Sequence, residues 1–90
     1  MKLTVIGRNI KITEAIKSYL DKKSNKTFRG ISDDTKVHIS LHVQKNRHIA
    51  AVTAILKGFT AHAGEETENL YKTIDKVLEK IKKQLDKYKN

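Results

Sequence analysis

Lys72, Lys76, Lys80, Lys83 and Lys87 recur at spacings of four, four, three and four residues. On an α-helix, at about 100° per residue, they occupy a sector of roughly 80° and extend over roughly 22 Å. A ridge of ammonium groups this long suits the phosphates of a folded nucleic-acid backbone, since such contacts give affinity without reading sequence. Like charges stacked one turn apart slightly weaken an isolated helix, and the ridge reads either as a phosphate contact or as a solvated face that is simply rich in lysine. Glu68, Asp75, Glu79 and Asp86 gather on one flank of the same segment. Lys17, Lys22, Lys23 and Lys26, with Arg29 just beyond, form a second cluster. It reads in two ways: as cations that complement a helix C-terminus, or as a continuation of the ridge if the two helices lie side by side.

Other chemistry is poorly represented. The chain has no cysteine, hence no disulfide, thiolate ligand or thiol nucleophile. His38 and His42 share a strand face but stand about 13 Å apart at about 3.3 Å per residue, too far to chelate one ion. His42 and His48 fall on opposite faces in the register derived below. No metal or cofactor is therefore expected, and no small-molecule substrate. No Ser-His-Asp set, glycine-rich phosphate loop or paired carboxylates stand out, so an enzyme is the least supported class. Tyr19, Tyr71 and Tyr88 read as covers for the core at the sheet–helix junction, with stacking on bases as the sharper alternative.

The elements that must position these residues belong to one domain over residues 1–90. Nineteen Lys and Arg against ten Asp and Glu leave a formal net charge of +9, which costs self-repulsion and again favours an anionic partner. No apolar run approaches the roughly 18 residues that span a bilayer. The short apolar N-terminus is interrupted by charge, unlike a signal peptide. A cytoplasmic location without a membrane partner is the expectation.

Lys2 to Ile6 alternates as a short strand closed by Gly7, and residues 8–12 connect it to a helix. Thr13 reads as the helix N-cap with Glu14 in the first turn. Ala15, Ile16, Tyr19 and Leu20 share one helical face, and the pattern fades near Lys26. Lys36 to Gln44 alternates, with Val37, Ile39, Leu41 and Val43 on one side. Lys45-Asn46 fits a two-residue turn, Asn46 tolerating positive φ. That turn pairs Val43 with His48, Leu41 with Ala50 and Ile39 with Val52. Lys57-Gly58 fits a second turn that pairs Leu56 with Phe59, Ala54 with Ala61 and Val52 with Ala63. Alanines on the paired face let a helix approach closely. From about Thr67 to Tyr88 the period is helical, with Leu70, Ile74, Val77, Leu78, Ile81, Leu85 and Tyr88 forming the apolar stripe. The expected fold is a two-layer α+β domain, β-α-β-β-β-α, whose four-stranded sheet carries both helices on one face. Its other face, with Ile49, Ala51, Thr53 and Ile55, is apolar enough for a partner or for self-association.

Several pieces match a known family in order: Gly7-Arg8-Asn9-Ile10 with Thr13, Ala15 and Tyr19; Lys22-Lys23; Val43 to Lys45 and Arg47-His48; Val52-Thr53; Gly58; Ala63 to Glu66; and Tyr71, Ile74-Asp75, Val77, Lys80 and Leu85. On these residues the chain resembles, over essentially its whole length, the ribosome hibernation-promoting factors and ribosome-associated inhibitors (the sigma-54 modulation protein family). The resemblance implies the same β-α-β-β-β-α fold with parallel helices. It implies binding in the small-subunit channel between head and body, across the paths of messenger and transfer RNA, so that translation stops. It further implies that Lys22, Lys23, Lys26, Lys80, Lys83 and Lys87 contact small-subunit ribosomal RNA. Helical geometry adds Lys72, Lys76 and Arg29. Arg8 stands in the motif either as an RNA contact or as a brace for the connector. Ser24 and Thr27 replace apolar residues usual in the family, which implies a frayed end to the first helix; Ala50 and Ala54 replace larger ones, which implies a looser core. The chain is expected to be a short member or the N-terminal domain of a long one. The competing expectations are a protein-interaction module using the open sheet face and a general double-stranded-RNA binder.

Overall fold

The structure, a computed structural model, describes residues 1–89. Strand β1 (Lys2–Arg8) leads into helix α1 (Glu14–Thr27), followed by β2 (Lys36–Gln44), β3 (Arg47–Leu56), β4 (Phe59–Thr67) and helix α2 (Leu70–Lys89). The strands form one sheet in the order β1-β2-β3-β4. β1 and β2 are parallel, as a helical crossover requires, and the two later pairs are antiparallel hairpins. The expected two-layer α+β order is the observed one.

The hairpin registers also agree with the alternation. Val43 opposes His48, Leu41 opposes Ala50 and Ile39 opposes Val52; Leu56 opposes Phe59, Ala54 opposes Ala61 and Val52 opposes Ala63. The left-handed residue of the first turn is Lys45 (φ 57°), not Asn46 as expected, while Gly58 takes φ 73° in the second. β1 continues through Gly7 to Arg8. A side chain at Gly7 would meet the Ile10 carbonyl oxygen at 2.8 Å, so this glycine lets the connector fold beneath the strand rather than ending it. Asn9, at φ 56°, makes the bend that follows.

The inner sheet face presents Val37, Ile39, Leu41, Ala50, Val52, Ala54, Ala61 and Ala63 to one core with Ile16, Leu20 and Phe28 of α1 and Ile74, Val77, Leu78, Ile81 and Leu85 of α2. α2 comes within 8 Å, Cα to Cα, of β3 and β4 and also of α1. The small side chains at 50, 54, 61 and 63 allow that approach, and Ala50 and Ala54 are fully buried. Their small volume is what brings the helix close to the sheet.

α1 begins where expected, with the Thr13 hydroxyl accepting the Ile16 N–H at 3.2 Å. Its end is ordered rather than frayed. Thr27 Oγ1 donates to the Lys23 carbonyl at 2.8 Å, and the Phe28 N–H bonds the Ser24 carbonyl at 2.9 Å. Phe28, just past the helix, is buried and anchors that end in the core. Ala15 is exposed, because it lies off the Ile16–Leu20–Ser24 line that faces the sheet. α2 starts three residues later than expected. Thr67 still opposes His48 in the sheet, and Asn69 caps the helix by accepting the Lys72 N–H at 3.0 Å.

Candidate nucleic-acid interface

The apolar stripe of α2 sets which of its residues reach solvent. With Ile74, Val77, Ile81 and Leu85 buried, Lys72, Lys76, Lys80, Lys83 and Lys87 are all exposed. Their ridge lies on the flank of α2 that faces β4. Lys80 shows this directly: its Nζ sits 2.8 Å from Glu65 Oε2 and donates to the Gly64 carbonyl at 3.2 Å. One turn on, Gln84 accepts the His62 N–H at 3.1 Å and donates to the His62 carbonyl at 2.8 Å. One turn further, the Tyr88 hydroxyl donates to the Lys57 carbonyl at 3.2 Å, and its ring stacks on Phe59 at 4.9 Å. Residues 80, 84 and 88 thus hold α2 along the outer edge of β4.

The opposite flank of α2 meets α1. Tyr19 and Tyr71 pack edge to face at 4.7 Å between the helices. They are helix–helix contacts; of the three tyrosines, Tyr88 is the one at the sheet. The Tyr19 hydroxyl donates to Asp75 Oδ1 at 2.5 Å. Lys23 Nζ lies 3.8 Å from the same carboxylate oxygen and 5.5 Å from the Tyr19 ring centroid. Burial, and then the hydrogen bond to Asp75, push the Tyr19 phenol up to about 12. A groove of about 300 Å³ follows, lined by Lys23, Lys26, Thr27, Asp75, Leu78, Glu79 and Lys82. Matching residues along it rise in number together on both helices, so the helices run parallel.

This geometry changes the expected charge layout. The first-helix cations do not extend the α2 ridge without a break, because Asp75 and Glu79 stand between them. Lys22, Lys26 and Arg29 are exposed and Lys23 is half-buried. The result is two cationic strips beside a groove of mixed sign. Within the acidic flank, Asp75 has a structural role: it ties α2 to α1 through Tyr19 and Lys23. Glu68 is not part of that flank. It precedes α2, and Arg47 lies between it and Glu66, at 3.7 Å and 2.9 Å. Lys82 was not singled out in the sequence, although its place one turn after Leu78 and three residues after Glu79 puts it on the groove side of the helical wheel. At the other end, Lys72 and Lys76 share a concavity with Arg47, Glu66 and Glu68. Glu65 is held below the ordinary carboxylate range, first by the hydrogen bond from Lys80.

The histidines divide as the register requires. His38, His42 and His62 are on the outer sheet face; His48 is on the inner one, opposite Val43. Among the described residues no three His, Cys, Asp or Glu stand close enough to hold a metal. No helix among them is long and apolar enough to cross a membrane. What the helical surface can do is place ammonium and guanidinium groups at fixed positions on an extended polyanion.

Comparison with known proteins agrees with this architecture. The family described as sigma 54 modulation protein / S30EA ribosomal protein matches residues 3–90. A ribosome hibernation promotion factor from Picosynechococcus is 41% identical over 95 aligned positions, which cover 99% of this chain and 49% of that protein. A ribosome hibernation promoting factor from Salmonella typhimurium is 31% identical, with 100% of this chain and 95% of that protein aligned. The chain thus spans about half of one curated relative and nearly all of the other. Among solved structures, the N-terminal domain of Protein Y from Thermus thermophilus superposes with a TM-score of 0.90 at 27% identity, covering 98% of this chain and 99% of that one.

Proposed function

Because this chain belongs to the sigma 54 modulation protein / S30EA ribosomal protein family, we propose that it is a ribosome hibernation factor that binds the small ribosomal subunit and blocks translation. The observation that carries this reading is the pair of cationic strips on the parallel helices, held in place by a packed core. Lys22, Lys23, Lys26 and Arg29 form one strip; Lys72, Lys76, Lys80, Lys83 and Lys87 form the other. Both would contact ribosomal RNA through phosphates, which fix position without reading bases. The site in the channel for messenger and transfer RNA follows from the family resemblance. There the protein acts in the cytoplasm by occupancy, not by turnover: the lysines hold the domain and its bulk excludes the RNA substrates.

Co-sedimentation with small subunits over a salt series tests this. Changing Lys80, Lys83 and Lys87 to Glu is expected to abolish binding at ordinary salt, and retained binding would overturn the role of the ridge. Competition by free duplex RNA as strong as by subunits would instead identify a general double-stranded-RNA binder.

A further inference from the structure

The sheet face turned away from the helices carries its own charge pattern. Strand alternation places Lys2, Thr4, Ile6 and Arg8 of β1 there, beside Lys36, His38, Ser40 and His42 of β2. Two pairs of like-charged or basic side chains stand directly opposite each other: Lys2 with Lys36 and Arg8 with His42. Such pairs destabilise a sheet, and no acid on the outer face of β1 or β2 offsets them. Glu66, on β4, faces the same side but pairs with Arg47 at 2.9 Å. Asp33 and Asp34 border one end, in the loop before β2. The Asp34 carboxylate already accepts the Ser32 hydroxyl, and the N-terminal ammonium, bonded to the Asp33 main-chain carbonyl at 2.7 Å, adds a cation at the same end.

We propose that this outer face is a second RNA-binding surface, taking an extended single strand along β1 and β2 with Lys2, Lys36, His38, His42 and Arg8 toward its phosphates. The inference rests on the reading of the chain as an RNA binder. The two basic pairs lie six residues apart, about 20 Å at about 3.3 Å per residue. Side chains on one strand face recur every ~6.6 Å, close to the step between successive phosphates of an extended strand. Thr4 and Ser40, between the basic pairs, supply hydroxyl donors of the kind that position phosphates. Ile6 and Ile55, exposed at 56% and 42%, give the face apolar area on which bases can lie. A second copy of this chain is a poor occupant, because the same cations would meet like charge.

The test is an NMR titration of the isotopically labelled full chain with a short oligouridylate at low salt. Amides of Thr4, Ile6, His38 and Ser40 are expected to shift in the native protein and in the Lys80→Glu, Lys83→Glu, Lys87→Glu variant. An Arg8→Gln, Lys36→Gln variant is expected to need more RNA to reach those shifts, keep the spectrum of a folded protein, and show a log K against log salt slope shallower by about 1.4, the share of two contacts on a single strand. Shifts confined to α1 and α2 would overturn the proposal while leaving the ribosome reading intact. A silent protein throughout would overturn the proposal as well, and leave the ribosome reading to the co-sedimentation test. Equal shifts with polyglutamate would assign the face to acidic protein and overturn the RNA assignment.

Discussion

Ser24 is fully buried in α1, and its hydroxyl has no hydrogen-bond partner. An unpaired buried hydroxyl costs about 1–3 kcal/mol, so Ser24→Ala is expected to stabilise the fold by about 1 kcal/mol. Urea unfolding checks this: a lowered midpoint would mean that the hydroxyl makes a bond after all. Glu65 and Lys80 are coupled at the same scale. The Lys80 hydrogen bond lowers the folded-state Glu65 titration, so the unfolded chain binds the proton more readily. The pairing therefore stabilises the protein above the ordinary glutamate range and ceases to do so as pH falls through the lowered value. In Lys80→Met, the Glu65 carboxyl resonance is expected to titrate at higher pH than in the native chain; an unchanged midpoint would remove Lys80 as the cause. Neither feature was legible in the sequence. Ser24 looked like a sign of fraying, since nothing local to it announces that Phe28 anchors the turn beyond. Glu65 and Lys80 lie on different elements, and their contact depends on how α2 sits against β4.

At the scale of elements, α2 does two jobs. One face completes the core, and residues 80, 84 and 88 line the outer edge of β4, an edge that would otherwise offer main-chain groups to another strand. Gln84 meets both main-chain groups of His62, as a neighbouring strand would. Gln84→Ala is expected to cost roughly 1–2 kcal/mol for two lost hydrogen bonds, to speed exchange of the His62 amide, and to make the protein associate with rising concentration. Unchanged exchange at His62 would show that the amide bond is not formed in solution. The elements themselves were largely readable, because periods of 2 and 3.6 are written locally in the chain. The misplacements fall at junctions. Thr67 fits a helical pattern and a strand pattern equally well, and sheet pairing with His48 decides between them. Lys45 takes the left-handed conformation although its neighbour Asn46 is the better intrinsic candidate.

For the whole molecule, a net charge of +9 on a body 39 × 21 × 18 Å makes binding to any polyanion dependent on salt. If Lys80, Lys83 and Lys87 each displace a counterion, changing all three to Gln should make the log K against log salt slope for subunit binding shallower by about 2–3. A uniform loss of affinity with an unchanged slope would place their effect in folding instead. The internal Lys80–Glu65 pair competes with phosphate, so Lys80 should contribute less than Lys83 or Lys87 when each is changed alone.

The order of elements, both hairpin registers, the buried face of α2 and the excess of positive charge were all legible in the chain. Each follows from residue spacing or composition along the chain. Tertiary structure alone decided which neighbour lies on each flank of α2. A helical wheel shows the face that meets the core, but not that β4 stands on the lysine side and α1 on the side of Asp75. That depends on the sheet order β1-β2-β3-β4 and on the parallel crossover, which long-range pairing sets. Hence the lysine ridge, continuous along its own helix, ends as one of two strips, and Asp75 beside it holds the helices together.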